Sequence, residues 1–146
     1  MIRSSGMSAR RYVLDANALV GLFEDRKGVA ERVEHLLNDA LIRGLPLLIS
    51  AVNWGEVFHI EWRYRGEARA REAETRLQEL PVAVIPVDRD RATRAGALKQ
   101  SHGLGYADAF AAELAIERRA RLVTADPEFS KMGKTVLVYK LPRFEK

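Results

Sequence analysis

Short apolar runs of strand length alternate along this chain with longer segments that have helical periodicity. The apolar runs are expected to form five strands, over residues 11–16, 45–50, 82–87, 121–125 and 135–139. The helical patterns cover residues 18–23, 28–44, 52–65, 67–80 and 106–119, with one more helix around Ala92 to Leu98. Strands that alternate with helices in this way predict an α/β fold, in which helices cover both faces of a mostly parallel five-stranded sheet.

The length and composition fit one globular domain. With 146 residues, of which 47% are hydrophobic, the chain can bury a substantial core. It has no cysteine, which excludes disulfide frameworks, thiolate zinc sites and cysteine nucleophiles. No apolar stretch approaches the roughly 20 residues of a membrane span, and the first residues lack the apolar centre of a secretory signal. We therefore expect a soluble cytoplasmic protein with a disordered leader over residues 1–10.

Four acidic residues lie where predicted strands end or predicted helices begin. Asp15 and Asp126 directly follow apolar runs, Glu56 lies just beyond a third run, and Asp108 opens a helical segment. In an open parallel sheet, the loops that leave the carboxyl ends of the strands line one crevice. Carboxylates gathered there have one common use, which is to hold a hard divalent cation with oxygen ligands.

Each acid also has an ordinary structural explanation. Asp15 can cap the next helix, Asp108 can complement a helix dipole, Asp126 before Pro127 can form a turn, and Glu56 can be a solvated helix position. Four carboxylates at one edge of a sheet, however, repel each other unless a cation or a proton relieves them. The set as a whole therefore favours a functional site over four unrelated roles.

The chain carries a net charge of +4, which mildly favours an anionic partner. Its densest basic segment has five arginines interleaved with five glutamates. These are Arg63, Arg65, Arg69, Arg71 and Arg76 with Glu61, Glu67, Glu72, Glu74 and Glu79. Mixed charge of this kind is typical of a solvated helical face. The alternative is a rim that faces the substrate or a partner protein.

Three segments and one isolated glutamate form a recognisable combination of motifs. They are Val13-Leu14-Asp15-Ala16-Asn17-Ala18-Leu19, Glu56, Gly105-Tyr106-Ala107-Asp108-Ala109-Phe110 and Leu122-Val123-Thr124-Ala125-Asp126-Pro127-Glu128-Phe129. Together they resemble the PIN domain family, and in particular the VapC-type toxins of bacterial and archaeal toxin–antitoxin pairs. The resemblance covers residues 11–143.

The resemblance implies a single PIN-like domain over residues 11–146, built as a three-layer α/β/α sandwich with a mostly parallel five-stranded sheet. It further implies a metal-dependent endoribonuclease that hydrolyses RNA with Mg²⁺ or Mn²⁺. The family's acidic site falls on Asp15, Glu56, Asp108 and Asp126, with the metal on Asp15, Asp108 and Asp126. Asn17 and Thr124 are implied as polar support, and Ala16 stands where the family often has Ser or Thr.

The implied partners are an RNA substrate, a small cognate antitoxin and a second copy of the chain in a homodimer. The antitoxin is expected to wrap a groove of apolar residues. These are Leu19, Phe23, Trp54, Phe58 and Trp62. The same aromatic residues fit a core position or a homodimer surface equally well.

Other functions also fit parts of the pattern. Within the same family, an RNA-maturation nuclease is the competitor to a toxin. A non-catalytic RNA-binding protein or a phosphoacceptor regulatory module is possible in a different class, and the second would use Asp88 as its acceptor. The phosphoacceptor reading leaves Asp108 without a role, and Asp15 lacks the acidic neighbour that it needs.

The remaining acids and histidines are expected outside the site. Glu113 lies about 140° round the helix from Asp108, because an α-helix has about 3.6 residues per turn. Asp88 and Asp90 fit helix caps, and Glu128 fits a turn with Phe129 packed beneath it. His35, His59 and His102 are expected to be structural or solvated.

Overall fold

A single sheet of five strands forms the centre of the computed structural model, which describes residues 10–143. The strands are β1 (Tyr12–Leu14), β2 (Leu47–Ser50), β3 (Val82–Ile85), β4 (Arg121–Thr124) and β5 (Val138–Lys140). Their order across the sheet is β3-β2-β1-β4-β5, and every pairing between these strands is parallel. The predicted α/β class and five-stranded sheet are confirmed.

Helices cover both faces of this sheet. The α-helices of residues 10–143 are α1 (Ala16–Phe23), α2 (Val29–Arg43), α3 (Ala51–Arg65), α4 (Glu67–Glu79), α5 (Arg89–His102) and α6 (Tyr106–Arg118). A 3₁₀ segment, Pro127–Thr135, joins β4 to β5. Within the same residues, no helix has both the length and the apolar character that crossing a bilayer requires.

The strand residues point alternately to two separate cores. On one face, Leu14, Ile49 and Val123 pack with α1 and α2. On the other face, Val13 and Leu122 pack with the alanine-rich α6. Successive side chains of a strand point to opposite faces of the sheet, so this alternation produces a helix layer on each side. The result is the predicted three-layer sandwich.

The chain reverses its direction of travel across the sheet at β1. It adds β2 and β3 on one side of β1 and then returns to place β4 on the other side. A crevice forms at the carboxyl ends of the strands at such a switch point. Asp15 follows β1, and its backbone N–H donates to the Val123 carbonyl oxygen of β4 at 3.0 Å. The exits of β1 and β4 are thereby held side by side.

Several element bounds differ from the prediction. Residues 135–139 were expected as the fifth strand, but the 3₁₀ segment runs to Thr135 and β5 begins only at Val138. The third strand was expected to reach Val87 but ends at Ile85, because Pro86 has no N–H to donate to a neighbour. The expected leader falls mainly on residues 1–9, which lie outside the described part of the chain.

Candidate active site

Asp15 lies at the junction of β1 and α1 and is almost completely buried, with 3% of its surface exposed. Its Oδ1 accepts the Ala16 backbone N–H at 2.9 Å, which makes it the cap of α1. Burial raises the pKa of Asp15 to about 6, although hydrogen bonds from Thr124 and Ala16 oppose that shift and the charges of Glu56 and Asp126 add to it. Asp15 does cap α1, but a capping role does not explain why the carboxylates of Glu56 and Asp126 lie near it.

Thr124 and Asn17 connect the acids at the ends of β1 and β4. The Thr124 hydroxyl donates to Asp15 Oδ2 at 2.8 Å and accepts the Asp126 backbone N–H at 3.0 Å. Asn17 Nδ2 donates to Asp15 Oδ2 at 3.1 Å, and Asn17 Oδ1 accepts the Ala125 N–H at 3.0 Å. The two polar residues named from the sequence therefore fix the orientation of Asp15.

Asp108 lies in the first turn of α6, directly above Gly105. A Cβ atom at position 105 would stand 3.3 Å from Asp108 Oδ2, so the glycine leaves room for the carboxyl group. Burial raises the pKa of Asp108 to about 7, and the charges of Asp15, Asp126 and Glu128 act in the same direction. Asp108 thus belongs to the same electrostatic cluster as Asp15.

Glu56 enters the cluster from α3, and a buried amide determines where that helix lies. Asn53, one turn before Glu56, is fully buried, and its Nδ2 donates to the Ala107 carbonyl oxygen at 3.0 Å. This hydrogen bond joins α3 to the start of α6, next to Asp108. Burial raises the pKa of Glu56, and the charges of Asp108 and Asp126 add to the effect. Sequence reasoning missed Asn53, whose signal was an amide at an otherwise apolar helix position.

All four predicted acids line one cleft of about 210 Å³. The full set of lining residues is Asp15, Ala16, Asn17, Val20, Arg26, Glu56, Ile60, Asp108 and Asp126. Asp126 also caps the 3₁₀ segment, because its Oδ1 accepts the Glu128 N–H at 2.8 Å. Arg26 was not named from the sequence, since nothing in the local pattern brings it to the end of the sheet.

The acids Glu113, Asp88 and Glu128, expected outside the site, do not line the cleft, although the charge of Glu128 acts on Asp108. Glu113 is buried and accepts hydrogen bonds from Arg91 and Arg94, which tie α6 to α5. Asp88 accepts the Arg91 backbone N–H at 2.9 Å and is the cap of α5. Glu128 pairs with Lys131 at 2.8 Å. Because β2 separates β3 from β1, Asp88 is also remote from Asp15, which argues against the phosphoacceptor reading.

Two expectations about the surface are wrong. Leu19 was placed in the antitoxin groove, but it is fully buried in the core against the sheet. Glu61 was grouped with a solvated face, but only 4% of its surface is exposed. The other groove residues lie closer to the surface: Phe58 contacts both Trp54 and Trp62, and Trp62 is 42% exposed.

The donor set of the cleft fits Mg²⁺ or Mn²⁺, because it consists of carboxylate oxygens held in mutual repulsion. Within residues 10–143, no group of three acidic or histidine side chains already encloses a point as a full ligand set would. Mg²⁺ usually keeps several waters and binds to one or two carboxylates, so partly water-mediated binding is compatible with this arrangement.

Several solved structures share this fold. A toxin–antitoxin complex from Klebsiella pneumoniae is 26% identical, with a TM-score of 0.63 over 88% of this chain and 98% of that chain. The VapC20 toxin of Mycobacterium tuberculosis, described as cleaving the sarcin–ricin loop, is 18% identical, with a TM-score of 0.71 over 90% and 99% of the two chains. VapBC2 from Rickettsia felis, bound to promoter DNA, is 18% identical, with a TM-score of 0.68 over 89% and 98%.

The sequence comparison agrees with the fold. None of the curated proteins matches the chain. The family model described as "PIN domain" matches residues 12–135, which is most of the chain and includes all four acids of the cleft. The chain therefore belongs to the PIN domain family, a family of nucleases.

Proposed function

We propose that this protein is a metal-dependent endoribonuclease and the toxin of a toxin–antitoxin pair. The observation that carries the proposal is the convergence of four carboxyl groups from four separate parts of the chain on one cleft. Burial and mutual repulsion raise the pKa values of Asp15, Glu56 and Asp108. A fold that keeps such an unfavourable arrangement is best explained by the use of those charges.

Asp15, Asp108 and Asp126 would hold Mg²⁺ or Mn²⁺, directly or through water. When bound, the cation lowers the pKa of a water molecule and offsets negative charge that develops on the phosphorane-like transition state. Asp15 is the best-oriented of the three acids, since Thr124 and Asn17 both donate to its Oδ2. The cleft thus contains one carboxylate whose orientation is fixed by two side-chain hydrogen bonds.

Glu56 would orient the attacking water or bind a second ion. A carboxylate with a raised pKa is a better proton acceptor than an exposed one, which suits a general base. Attack of water in line with the leaving oxygen forms one P–O bond and breaks the bond to the 3′ oxygen. The products are a 5′-phosphate and a free 3′-hydroxyl, and the reaction does not use the RNA 2′-hydroxyl.

Two of the similar structures support the toxin role. One is described as a toxin–antitoxin complex from Klebsiella pneumoniae, and the other is VapBC2 from Rickettsia felis. An RNA-maturation nuclease of the same family is the alternative. The α3 aromatics Trp54, Phe58 and Trp62 are the proposed antitoxin contact, since they lie next to the helix turn that carries Glu56. A Phe58→Glu variant that still co-purifies with a cognate antitoxin would move the contact elsewhere.

The direct test is RNA cleavage by purified, partner-free protein with Mg²⁺ or with excess EDTA. We expect cleavage only with the cation, 5′-phosphate ends on the products, and no activity in Asp108→Asn. The matched control is Asp90→Asn, because the Asp90 side chain is 71% exposed on α5, outside the cleft. Cleavage that is undiminished in EDTA rules out this mechanism. Growth arrest on expression that is relieved by co-expression of a cognate antitoxin separates a toxin from a maturation enzyme.

A further inference from the structure

One basic residue shares the cleft with the four acids. Arg26 follows α1 and lines the same cleft as Asp15, Glu56, Asp108 and Asp126. It is the only cationic side chain on the cleft wall within the described part of the chain. About a third of its side chain, 34%, is exposed to solvent. An arginine that opens onto a cleft of acids needs an explanation of its own, because the catalytic roles proposed above do not use it.

The position of the Arg26 guanidinium is fixed by a buried carboxylate. Its Nε and Nη2 atoms donate to Glu24 Oε1 at 3.0 Å and 2.7 Å. The Glu24 side chain is only 7% exposed, and its backbone N–H caps the end of α1 by donating to the Val20 carbonyl oxygen at 2.9 Å. Short charge-assisted hydrogen bonds of this kind hold an arginine in a defined direction.

A second carboxyl group lies behind Glu24. Glu61 of α3 is hydrogen-bonded to the Glu24 side chain, and burial together with this contact raises the pKa of Glu61. The Oε2 atom of Glu61 is buried and has no hydrogen-bond partner within residues 10–143. Arg65 Nη2 stands 3.8 Å from Glu24 Oε1. Burying the two carboxyl groups of Glu24 and Glu61 costs free energy of folding. A functional role for the orientation of Arg26 would explain why the fold keeps this pair.

We propose that Arg26 binds the phosphate of a nucleotide next to the scissile one, and that Glu24, backed by Glu61, is the positioning residue that aims it. This rests on the proposed function. An RNA strand that lies across the four acids carries phosphates on both sides of the cleavage point, and the bare carboxylates repel them. Arg26 supplies the opposite charge on the same cleft wall, in the planar form that binds phosphate through two hydrogen bonds.

An acidic segment of a protein partner is the other anion that Arg26 can bind. RNA is favoured over an acidic peptide, because a peptide carboxylate at this position would be repelled by the four acids of the cleft. An RNA strand is repelled as well, but under the proposed function its scissile phosphate would interact with the cation that these acids hold. The substrate class is therefore an RNA chain with phosphates on both sides of the cut, rather than a mononucleotide or a terminal phosphate.

The test is the salt dependence of RNA binding, measured in EDTA so that no cleavage occurs. A labelled single-stranded RNA is titrated with the parent, Arg26→Gln and the control Arg89→Gln, whose side chain is 94% exposed on α5. Loss of one phosphate contact should reduce the slope of log affinity against log salt by about 0.7 for a single strand. We expect that change for Arg26→Gln alone. An unchanged slope in Arg26→Gln overturns the inference.

The positioning role is tested by combining variants. Glu24→Gln should weaken RNA binding in the parent but should have no further effect when Arg26→Gln is also present, because the two residues act as one unit. The double variant removes both charges of the Glu24–Arg26 pair together, and circular dichroism checks that the fold is retained. Additive losses for Glu24→Gln and Arg26→Gln contradict the positioning role.

The inference and the proposed function fail in different ways. A parent that binds and cleaves RNA, with Arg26→Gln identical to it in salt slope, overturns the phosphate site only. A parent that neither binds nor cleaves RNA with Mg²⁺ overturns the nuclease proposal and the phosphate site with it. An effect of Arg26→Gln on antitoxin binding alone, with RNA binding intact, assigns Arg26 to the protein partner and contradicts the RNA assignment.

Discussion

The Thr124 hydroxyl donates to Asp15 Oδ2 at 2.8 Å, although the two residues are 109 positions apart in the chain. The hydrogen bond joins the ends of β1 and β4, the two strands between which the acidic cleft opens. It is also the largest of the influences that oppose the rise in the pKa of Asp15 caused by burial. Thr124 therefore keeps Asp15 oriented and more readily ionised.

Thr124→Val should impair both the fold and the site. The valine removes one of the two donors to Asp15 Oδ2 and leaves the Asp126 N–H without the Thr124 oxygen that accepts it. An unsatisfied group of this kind costs about 1–3 kcal/mol when buried. Urea unfolding measures that loss. RNA cleavage at neutral pH should fall as well, because the pKa of Asp15 rises further. Thr75→Val is the control, since the exposed Thr75 hydroxyl donates to the Arg71 carbonyl oxygen within its own helix. Equal losses of stability and of cleavage in Thr124→Val and Thr75→Val would contradict a role for Thr124 in orienting Asp15.

Gly105→Ala should reduce cleavage with little effect on stability. The backbone at position 105 has an ordinary φ of −62°, which alanine adopts without strain. The new Cβ would stand 3.3 Å from Asp108 Oδ2, so the carboxyl group must move by a few tenths of an ångström. Gly55→Ala is the matched control, because a Cβ there meets nothing within 4 Å and alanine favours the helix by roughly 0.5–1 kcal/mol. Full activity in Gly105→Ala would show that cleavage tolerates a shift of the Asp108 carboxyl group by a few tenths of an ångström.

Much of the acidic site could be predicted from the sequence because its position depends on local signals. The ends of the strands follow from short apolar runs, and Asp15, Asp108 and Asp126 lie next to those ends. The polar residues Asn17 and Thr124 were implied by the family resemblance, and both lie within two residues of Asp15 or Asp126 in the sequence. The same reasoning placed Asp88 and Glu113 outside the site, since a cap position and the helical angle are also local features.

The rest depends on contacts between distant segments. Asn53 matters because its side chain donates to the Ala107 carbonyl oxygen, 54 positions away, and Arg26 matters because it lines the cleft beside acids from distant segments. Leu19 was assigned to the surface because an apolar helix residue gives no local sign of which neighbour covers it. Glu61 was expected in solvent, since a lone sequence does not reveal that Glu24 lies against it.

Magnesium should raise the melting temperature of the protein, since the cation relieves the repulsion between the carboxylates. At ten times the dissociation constant the gain is about 1.4 kcal/mol, which is on the order of 3 to 5 °C for a domain of this size. Asp108→Asn removes one charge, so it should melt higher than the parent in EDTA and respond less to magnesium. Asp90→Asn should keep the full magnesium response. If Asp108→Asn melts lower than the parent in EDTA and magnesium raises its melting temperature as much as that of the parent, Asp108 only stabilises the start of its helix.

The metal-free protein should lose stability as the pH rises from about 4 to about 7, between the pKa of an unfolded aspartate and the raised pKa values of Asp15 and Asp108. Burial raises the pKa of Asp15 to about 6 and that of Asp108 to about 7, against 3.8 for an unfolded aspartate. The native state therefore binds protons more tightly than the unfolded state, and the associated stability is lost as these two groups ionise. Urea unfolding at pH 5 and pH 8 in EDTA should show a smaller loss for Asp108→Asn than for the parent. If the parent and Asp108→Asn lose the same stability between pH 5 and pH 8, the raised pKa of Asp108 is contradicted.

The central claim is that Asp15 and Asp108 hold a divalent cation together. Titration of Mn²⁺ into metal-stripped protein, with free Mn²⁺ followed by electron paramagnetic resonance, measures this without RNA or catalysis. The account predicts saturable binding to the parent and to Asp90→Asn, and strongly weakened binding to Asp15→Asn and to Asp108→Asn. Parental Mn²⁺ affinity in both Asp15→Asn and Asp108→Asn would contradict it.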